Sequence, residues 1–192
     1  MRYEKGRKDA SRSRIMEVAT DRFRADGIAA SGLASIMSEA GLTNGAFYPH
    51  FQSKAELVRE AVAAALEAQT EQIREALAAG GPDLAIAVYL SPEHRDNPAK
   101  GCASAALLPE IARQPPETRS LYAERLQAQV RLVAAALPDS KDPEGTALGL
   151  FATLIGTLQL ARAAQGDMSD RILAAGAAAA RALIRPYARE VS

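Results

Sequence analysis

The segment GLTNGAFYPHFQSK, residues 41–54, holds side chains whose types and spacing suit recognition chemistry. Phe47, Tyr48 and Phe51 fall within five positions, although the chain has only four Phe and five Tyr, and His50 is one of two histidines. Phe47 and Phe51 are four residues apart, so a helix places both on one face, where they can anchor the segment to a core. Tyr48 and His50 then project elsewhere, and both carry groups that can contact phosphate oxygens.

The start of this segment offers groups that can read DNA bases. Thr43, Asn44 and the open backbone at Gly45 stand at the N-terminus of a short helix, the end that meets bases and phosphates. An Asn side chain can pair bidentately with adenine. Pro49 lacks an N–H and clashes with the carbonyl four residues before it, so we predict a short, kinked or early-ending helix here.

Helices must position these groups, because apolar residues recur at helical spacing along the chain. We predict a first helix over 11–25, a second over 33–40 that Gly41 ends, and a third short helix that Thr43 can cap. Ser53 then caps a long helix that runs to about residue 79, where a Gly-Gly-Pro sequence ends it. The pattern stays helical after that point, and no alternating strand is evident, so the expected fold class is all-α.

Composition and charge exclude several classes of protein. The chain of 192 residues has 23 basic and 23 acidic side chains, so its net charge is zero, but residues 1–14 are markedly basic. The single cysteine excludes an intrachain disulfide framework. A signal-peptide core and a long uninterrupted apolar span are both missing, so we expect a cytoplasmic protein without membrane contact. Nucleotide-loop, zinc-protease and paired-cysteine motifs are also missing, so we expect no catalytic residue, metal or cofactor.

The second and third predicted helices, joined by residues 40–43, fit a helix-turn-helix motif. Such a motif places its second helix in the major groove of DNA, while the first helix crosses the backbone. The basic N-terminal arm can follow the phosphate backbone or enter the minor groove. Alternatively, the arm is merely a solvated run of charge.

The order of these elements resembles the TetR family of transcriptional regulators, of the TetR/AcrR type, over residues 12–62. The resemblance runs through RIMEVATDRFRADG, LASIMSEAGLTNGAFYPHF and QSKAELV. It implies that phosphates and bases are contacted by Ser31, Thr43, Asn44, Gly45, Ala46, Tyr48, His50 and Lys54. Gly32 stands where the family commonly has Thr or Ser, and Ala34 stands where some members have a base-reading Arg. We therefore expect sparse direct readout and a larger contribution from DNA shape.

The resemblance further implies two domains, with a DNA-binding domain over 1–60 and a helical domain over 61–192 that binds an effector and forms a homodimer. Two apolar stripes at helical spacing, one over 144–165 and one over 168–189, can form a four-helix interface between two subunits. The same stripes fit a role in the subunit's own core. The candidate interface residues are Leu148, Phe151, Ile155, Leu158, Gly176, Ala180, Leu183 and Ile184.

The effector site is harder to read from the sequence. Candidate lining or sensor residues are Tyr89, Cys102, Leu108, Tyr122, Leu126 and Phe151, and each equally fits a place in the core. Cys102 follows Lys100 and stands near a predicted helix N-terminus, two features that favour a thiolate. Its segment, GCASAALLPEIAR, resembles a branch of the family that includes electrophile- and oxidant-responsive repressors. A buried cysteine acting as a small hydrophobic residue is the other interpretation.

The sequence thus predicts a homodimeric repressor that binds double-stranded operator DNA and is released by a small-molecule effector of unknown identity. One alternative is a repressor switched by modification of Cys102. A second alternative, from a different class, is a helical interaction protein that does not bind DNA.

Overall fold

The computed structural model describes residues 2–137 and 140–185, with the side chains of all of these except residues 2–5 and 7. Regular structure in these ranges is helical, without a β-strand, so the predicted all-α fold class is confirmed. The α-helices are α1 Arg2–Asp26, α2 Leu33–Glu39, α3 Lys54–Tyr89, α4 Pro92–Asp96, α5 Ala103–Ile111, α6 Pro116–Ala134, α7 Pro143–Ala163 and α8 Asp167–Ile184. Two 3-10 helices span Asn44–Ala46 and Pro98–Lys100.

Most predicted helix ends are confirmed, because glycines end or interrupt helices and a serine caps one at the expected positions. Gly41 has φ +72° and ends α2 in a Schellman motif, in which Leu42 N–H donates to the carbonyl of Met37 at 2.9 Å. The Ser53 side chain caps α3 by accepting the Glu56 N–H at 3.1 Å. Regular helical geometry in α3 is interrupted at Gly80 and Gly81, at the predicted place.

Two expectations about the N-terminal region differ from the structure. Helix α1 begins at residue 2 rather than 11, so the basic arm is a helical continuation. The side chains of Arg2, Lys5 and Arg7 in that arm lie outside the described residues. Thr43 precedes the 3-10 helix, but its side chain makes no capping hydrogen bond, so that predicted cap is wrong.

The chain divides into two compact units. The first comprises residues 1–68 and 98–125, and the second comprises 69–97 and 126–192. The first unit therefore includes α5 and the beginning of α6 in addition to the predicted DNA-binding segment. The functional boundary near residue 60 stays a prediction, since compactness alone does not say which residues bind DNA.

The first unit has one apolar core that α1, α2, residues 44–51, α3 and α5 share. Its largest fully buried side chains include Phe23, Phe47 and Phe51. Burial of each such side chain stabilises the unit by about 1.5–3 kcal/mol relative to exposure. Helix α5 contributes Ala103, Leu107 and Ile111 to the same core.

The second unit is organised by the packing of α7 on α8. Gly176 of α8 lies so close to Thr157 of α7 that a β-carbon there would fall 2.2 Å from Thr157 Cγ2. By length and composition alone α7 could cross a membrane, but the buried core helices of soluble proteins pass the same test.

Helix α4 is tied to both of these helices by two arginines. Arg95 of α4 donates to Asp170 of α8 at 2.6 Å. Arg162 of α7 donates to the carbonyls of His94 at 2.8 Å and Arg95 at 3.0 Å. These bonds fix the short helix in the second unit.

Candidate nucleic-acid interface

Residues 43–51, which we call the recognition segment, contain only a short helix, as Pro49 predicts. It consists of the 3-10 helix Asn44–Ala46, with Phe47 N–H donating to the Asn44 carbonyl at 3.2 Å, followed by a turn. His50 and Phe51 then both donate their N–H groups to the Phe47 carbonyl. The segment therefore presents about one turn of helix rather than the longer rod typical of helix-turn-helix motifs.

Two buried phenylalanines anchor this segment, as their spacing predicts. Phe47 and Phe51 are fully buried, and their rings stack with centroids 5.4 Å apart. Tyr48 packs edge-on against Phe47 with the ring centroids also 5.4 Å apart. Its side chain nevertheless stays 69% exposed. The same few residues thus supply both the anchor and an outward-facing phenol.

The exposed face of the segment carries most of the predicted base and phosphate contacts. Thr43, Asn44 and Gly45 are exposed, and Ala46 is half-buried. Tyr48 is exposed as well, so the segment presents a threonine, an asparagine and a tyrosine to solvent. Their contacts with DNA stay predictions.

His50 has a cationic environment that the sequence did not reveal. Its ring is partly exposed, but Nδ1 is buried and has no hydrogen-bond partner among the described residues. Burial lowers the pKa of His50, and the nearby Lys8 and Arg12 of α1 lower it further. Arg12 stacks on the Phe51 ring at 4.8 Å from its centroid and pairs with Glu60. Basic side chains of α1 therefore lie beside the recognition segment.

Ser31 and Lys54 face the turn between α1 and α2 in this conformation. Ser31 is fully buried, and its hydroxyl donates to the Gly27 carbonyl at 2.7 Å. The Lys54 ammonium donates to the Ile28 carbonyl at 2.8 Å. Both side chains thus stabilise the first unit itself, and their contacts with DNA stay predictions.

Sequence reasoning missed Glu110 of α5, which reaches the same turn. Its carboxylate accepts the N–H groups of Ile28 at 2.7 Å and Ala29 at 3.0 Å. The only signal in the sequence was the Glu-Ile-Ala-Arg pattern that followed Cys102, and nothing in that pattern names the turn as its partner.

The candidate effector residues divide between the compact units. Cys102, Leu108 and Tyr122 belong to the first unit, while Tyr89, Leu126 and Phe151 belong to the second. None of the candidates lines a cleft of about 240 Å³ in the first unit, whose lining residues are Gln52, Ser53, Ala55, Glu56, Arg59, Pro115, Glu117 and Thr118. The effector site stays a prediction.

Cys102 lies at the start of α5, as predicted, and is buried. Its Sγ accepts the Ala105 N–H at 3.4 Å. Tyr122 bonds to Ser104 nearby, and burial raises the pKa of its phenol, while the Ser104 hydrogen bond opposes that rise. The thiol is thus enclosed in a partly polar part of the core.

The candidate interface residues on α7 and α8 fall into two groups. Phe151, Leu158, Gly176 and Ala180 are buried within the chain. Leu148 and Leu183 are 49% and 43% exposed, and Ile155 and Ile184 are intermediate. The apolar stripes therefore serve the chain's own packing and also leave an apolar surface uncovered.

Comparisons with known proteins agree with this geometry. Residues 15–61 match the family model of bacterial regulatory proteins of the TetR family. The HTH-type transcriptional regulator TtgR of Pseudomonas putida is 42% identical over 59 residues, which cover 31% of this chain and 28% of TtgR. The matched segment thus spans about a quarter of the curated relative.

The fold of the whole chain is similar to solved regulators at low sequence identity. The reduced form of Escherichia coli NemR superposes with a TM-score of 0.78 at 20% identity, covering 93% of this chain and 98% of NemR. FadR from Bacillus subtilis, solved in complex with stearoyl-CoA, gives 0.66 at 15% identity, covering 92% and 99%. Residues 15–61 thus match the TetR family by sequence, and the fold is similar to that of solved TetR-family regulators.

Proposed function

We propose that this protein is a cytoplasmic, homodimeric transcriptional repressor that binds double-stranded operator DNA and is released by a small-molecule effector. The observation that carries the proposal is the recognition segment. Asn44 and Tyr48 are exposed on a turn that two buried phenylalanines hold in place. The exposed phenol hydroxyl of Tyr48 and the exposed amide of Asn44 are both suited to contacts in a DNA groove.

Each polar group of the interface has a separate role in the proposal. Asn44 reads a base edge, and Thr43, Gly45 and Ala46 approach the groove with small side chains or backbone. Tyr48 and His50 contact phosphates. Lys8 and Arg12, which lie beside His50, add positive charge where the duplex backbone passes. Lys54 contacts phosphate from the start of α3 with hydrogens not used by the Ile28 carbonyl.

The dimer forms through the uncovered face of α7 and α8. Leu148 and Leu183 are exposed there, and Leu160 and Met168 on the same two helices are more exposed still, at 63% and 52%. Large exposed apolar side chains on adjacent helices are typical of a protein interface. A two-fold dimer places two recognition segments on half-sites about 34 Å apart, or a multiple of that, in a palindromic operator.

Burial of Cys102 supports a noncovalent effector over a thiol switch. Reactive cysteines are partly exposed, whereas a buried thiol is inert until the protein opens. The similar fold of FadR was solved with stearoyl-CoA, which supports a ligand-binding role for this architecture. The effector shifts the balance between DNA-competent and DNA-incompetent states only if it binds the two states unequally.

The test is binding of the full chain to duplex DNA from its own upstream region, at two salt concentrations, against random-sequence competitor. We expect site-specific binding with a steep salt dependence, in which each phosphate contact contributes about −0.9 to the slope of log K against log salt. The variant Tyr48→Ala should weaken binding, while Gln72→Ala, an exposed change on α3 far along the chain, should not. A genome-wide selection that recovers no preferred duplex would instead support a helical interaction protein.

A further inference from the structure

We infer that Glu110 of α5 is a positioning residue for DNA reading, because its carboxylate holds the turn from which α2 begins. The inference rests on the proposed DNA binding. It assigns a role to a side chain that is distant in sequence from the recognition segment and does not touch DNA.

The turn has the geometry of an anion-binding nest. Gly27 has φ +89°, and the next two residues present consecutive N–H groups in the same direction. Glu110 Oε2 accepts from Ile28 N at 2.7 Å, and Oε1 accepts from Ala29 N at 3.0 Å. Successive backbone N–H groups after a left-handed residue form a concave site for an anion. A carboxylate that uses both oxygens fills that site.

The opposite side of the turn is bound by other side chains of the same unit. The Lys54 ammonium bonds to the Ile28 carbonyl, and the Ser31 hydroxyl bonds to the Gly27 carbonyl. Donors and acceptors of the turn are therefore taken by side chains from α3, from α5 and from the turn's own end. Contacts from three directions restrict the conformation of the turn.

Helix α5 is anchored in the first unit and can therefore act as the support. Its apolar face is buried in the core of the first unit. Just before α5, the Gly101 carbonyl accepts a hydrogen bond from Arg24 of α1 at 3.1 Å. Lys100 forms an ion pair with Asp21, which is also on α1. With Glu110 at its other end, α5 is tied to the α1 region at both ends.

Gly27 gives a separate indication that the Glu110 carboxylate lies close to the backbone of the turn. A β-carbon at Gly27 would lie 3.1 Å from Glu110 Oε2. The positive φ of this position favours glycine, and a β-carbon here would also require the carboxylate to move by a few tenths of an ångström. Substitution elsewhere in the turn carries no such double requirement.

Removal of the Glu110 carboxylate should change the affinity for operator DNA in opposite directions under two explanations of its role. If Glu110 acts only as one negative charge, its removal strengthens binding to polyanionic DNA. If it positions the turn, its removal frees two N–H groups, lets α2 and the recognition segment shift, and weakens specific binding. Nonspecific binding, which depends on charge alone, is then unchanged or tighter.

The experiment compares Glu110→Ala and Glu110→Gln with Glu124→Ala and Glu124→Gln in the full chain. Glu124 is an exposed carboxylate of α6 in the same unit, so it controls for the charge change. We expect Glu110→Ala to lose about tenfold or more in operator affinity. We expect Glu110→Gln to lose less, since its amide keeps one acceptor oxygen, and both Glu124 variants to bind at least as tightly as the wild type.

Hydrogen exchange at the Ile28 and Ala29 amides provides a readout that does not need DNA. Their exchange should accelerate in both Glu110 variants and stay unchanged in the Glu124 variants. Operator affinity equal to that of the Glu124 controls, or amides that stay protected, would overturn the inference. If Glu110→Ala does not fold, Glu110→Gln carries the test. If the wild type binds no duplex specifically, the proposed function fails, while amide exchange still decides whether Glu110 holds the turn.

Discussion

Replacement of Gly176 by alanine tests the packing of α7 on α8, the helices that we propose form the dimer. The added β-carbon would lie 2.2 Å from both Cγ2 and Oγ1 of Thr157 and 2.7 Å from its Cβ. Thr157 is β-branched and buried, so its side chain has few rotamers with which to avoid the new methyl group. The two helices must separate or α8 must shift.

The magnitude follows from a comparison with Gly156→Ala in α7. Nothing lies within 4 Å of a β-carbon built at Gly156. Both substitutions gain about 0.8–1.0 kcal/mol of helix propensity, so that contribution cancels between the two variants. The difference is the overpacking cost at Gly176, which is about 1–3 kcal/mol. For a chain of this size that difference corresponds to about 2–12 °C in Tm.

The assay is thermal unfolding followed by circular dichroism, at one protein concentration because dimerisation makes Tm concentration-dependent. We expect Gly176→Ala to melt below Gly156→Ala by the stated interval. The double variant Gly176→Ala/Thr157→Ala should recover part of the loss, because it removes Cγ2 and Oγ1, the two nearest atoms, and leaves only the β-carbon of residue 157 at 2.7 Å. A Tm for Gly176→Ala equal to that of Gly156→Ala, or no recovery in the double variant, would refute the proposed close contact.

Three further predictions concern the recognition segment and the sensor. Asn44→Ala should cost about 1–3 kcal/mol per half-site and relax base preference at one position of each half-site, which selection from randomised duplexes would show. Phosphate contact should raise the pKa of His50 above its lowered value in the free protein, where burial, Lys8 and Arg12 favour the neutral ring. Operator affinity should therefore increase as the pH falls through the pKa of the bound state, and His50→Gln should flatten that profile in a titration between about pH 5 and pH 8. Cys102→Ser should leave both operator affinity and effector response intact, and loss of an oxidant response in this variant alone would establish the thiol switch instead.

Local features of the fold were predictable because the signals lie within a few residues of their effects. Gly41 ends α2, Ser53 caps α3, and Pro49 shortens the recognition helix, each through the backbone chemistry of its own position. The four-residue spacing of Phe47 and Phe51 is enough to predict that both are buried on one face, and both are. These residues needed no knowledge of the rest of the chain.

The hydrogen bonds between Glu110 and the α1–α2 turn could not be predicted in the same way. Glu110 lies 82 residues from Ile28, and the partners it finds are backbone N–H groups, which every residue except proline has. Arg12 was visible as part of a basic run, but its stacking on Phe51 depends on how α1 packs in the core. Side chains that act through the backbone of a distant segment leave no pattern in the sequence.

The apolar stripes of α7 and α8 illustrate a different limit. Helical periodicity identifies an apolar face but does not say what covers it. Gly176 and Ala180 are covered by the chain itself, while Leu148 and Leu183 on the same stripes are not. A stripe wider than one helix contact can thus serve the subunit core and a dimer at once, so the two interpretations of the sequence do not exclude each other.

The short recognition element has a consequence for how specificity arises. In the proposed complex, about one turn of 3-10 helix offers Asn44 and few other groups to the bases, and the exposed positions Gly32 and Ala34 before and in α2 offer none. With few direct contacts, discrimination between sequences depends on how accurately the protein's shape matches the deformability and groove width of the duplex. Such matching requires a rigid DNA-contacting surface, because a surface that adjusts to each duplex does not distinguish among duplexes. We expect the stacked phenylalanines and the hydrogen bonds from Glu110 to the turn to supply that rigidity. For this reason a side chain as remote as Glu110 should affect operator binding more than nonspecific binding.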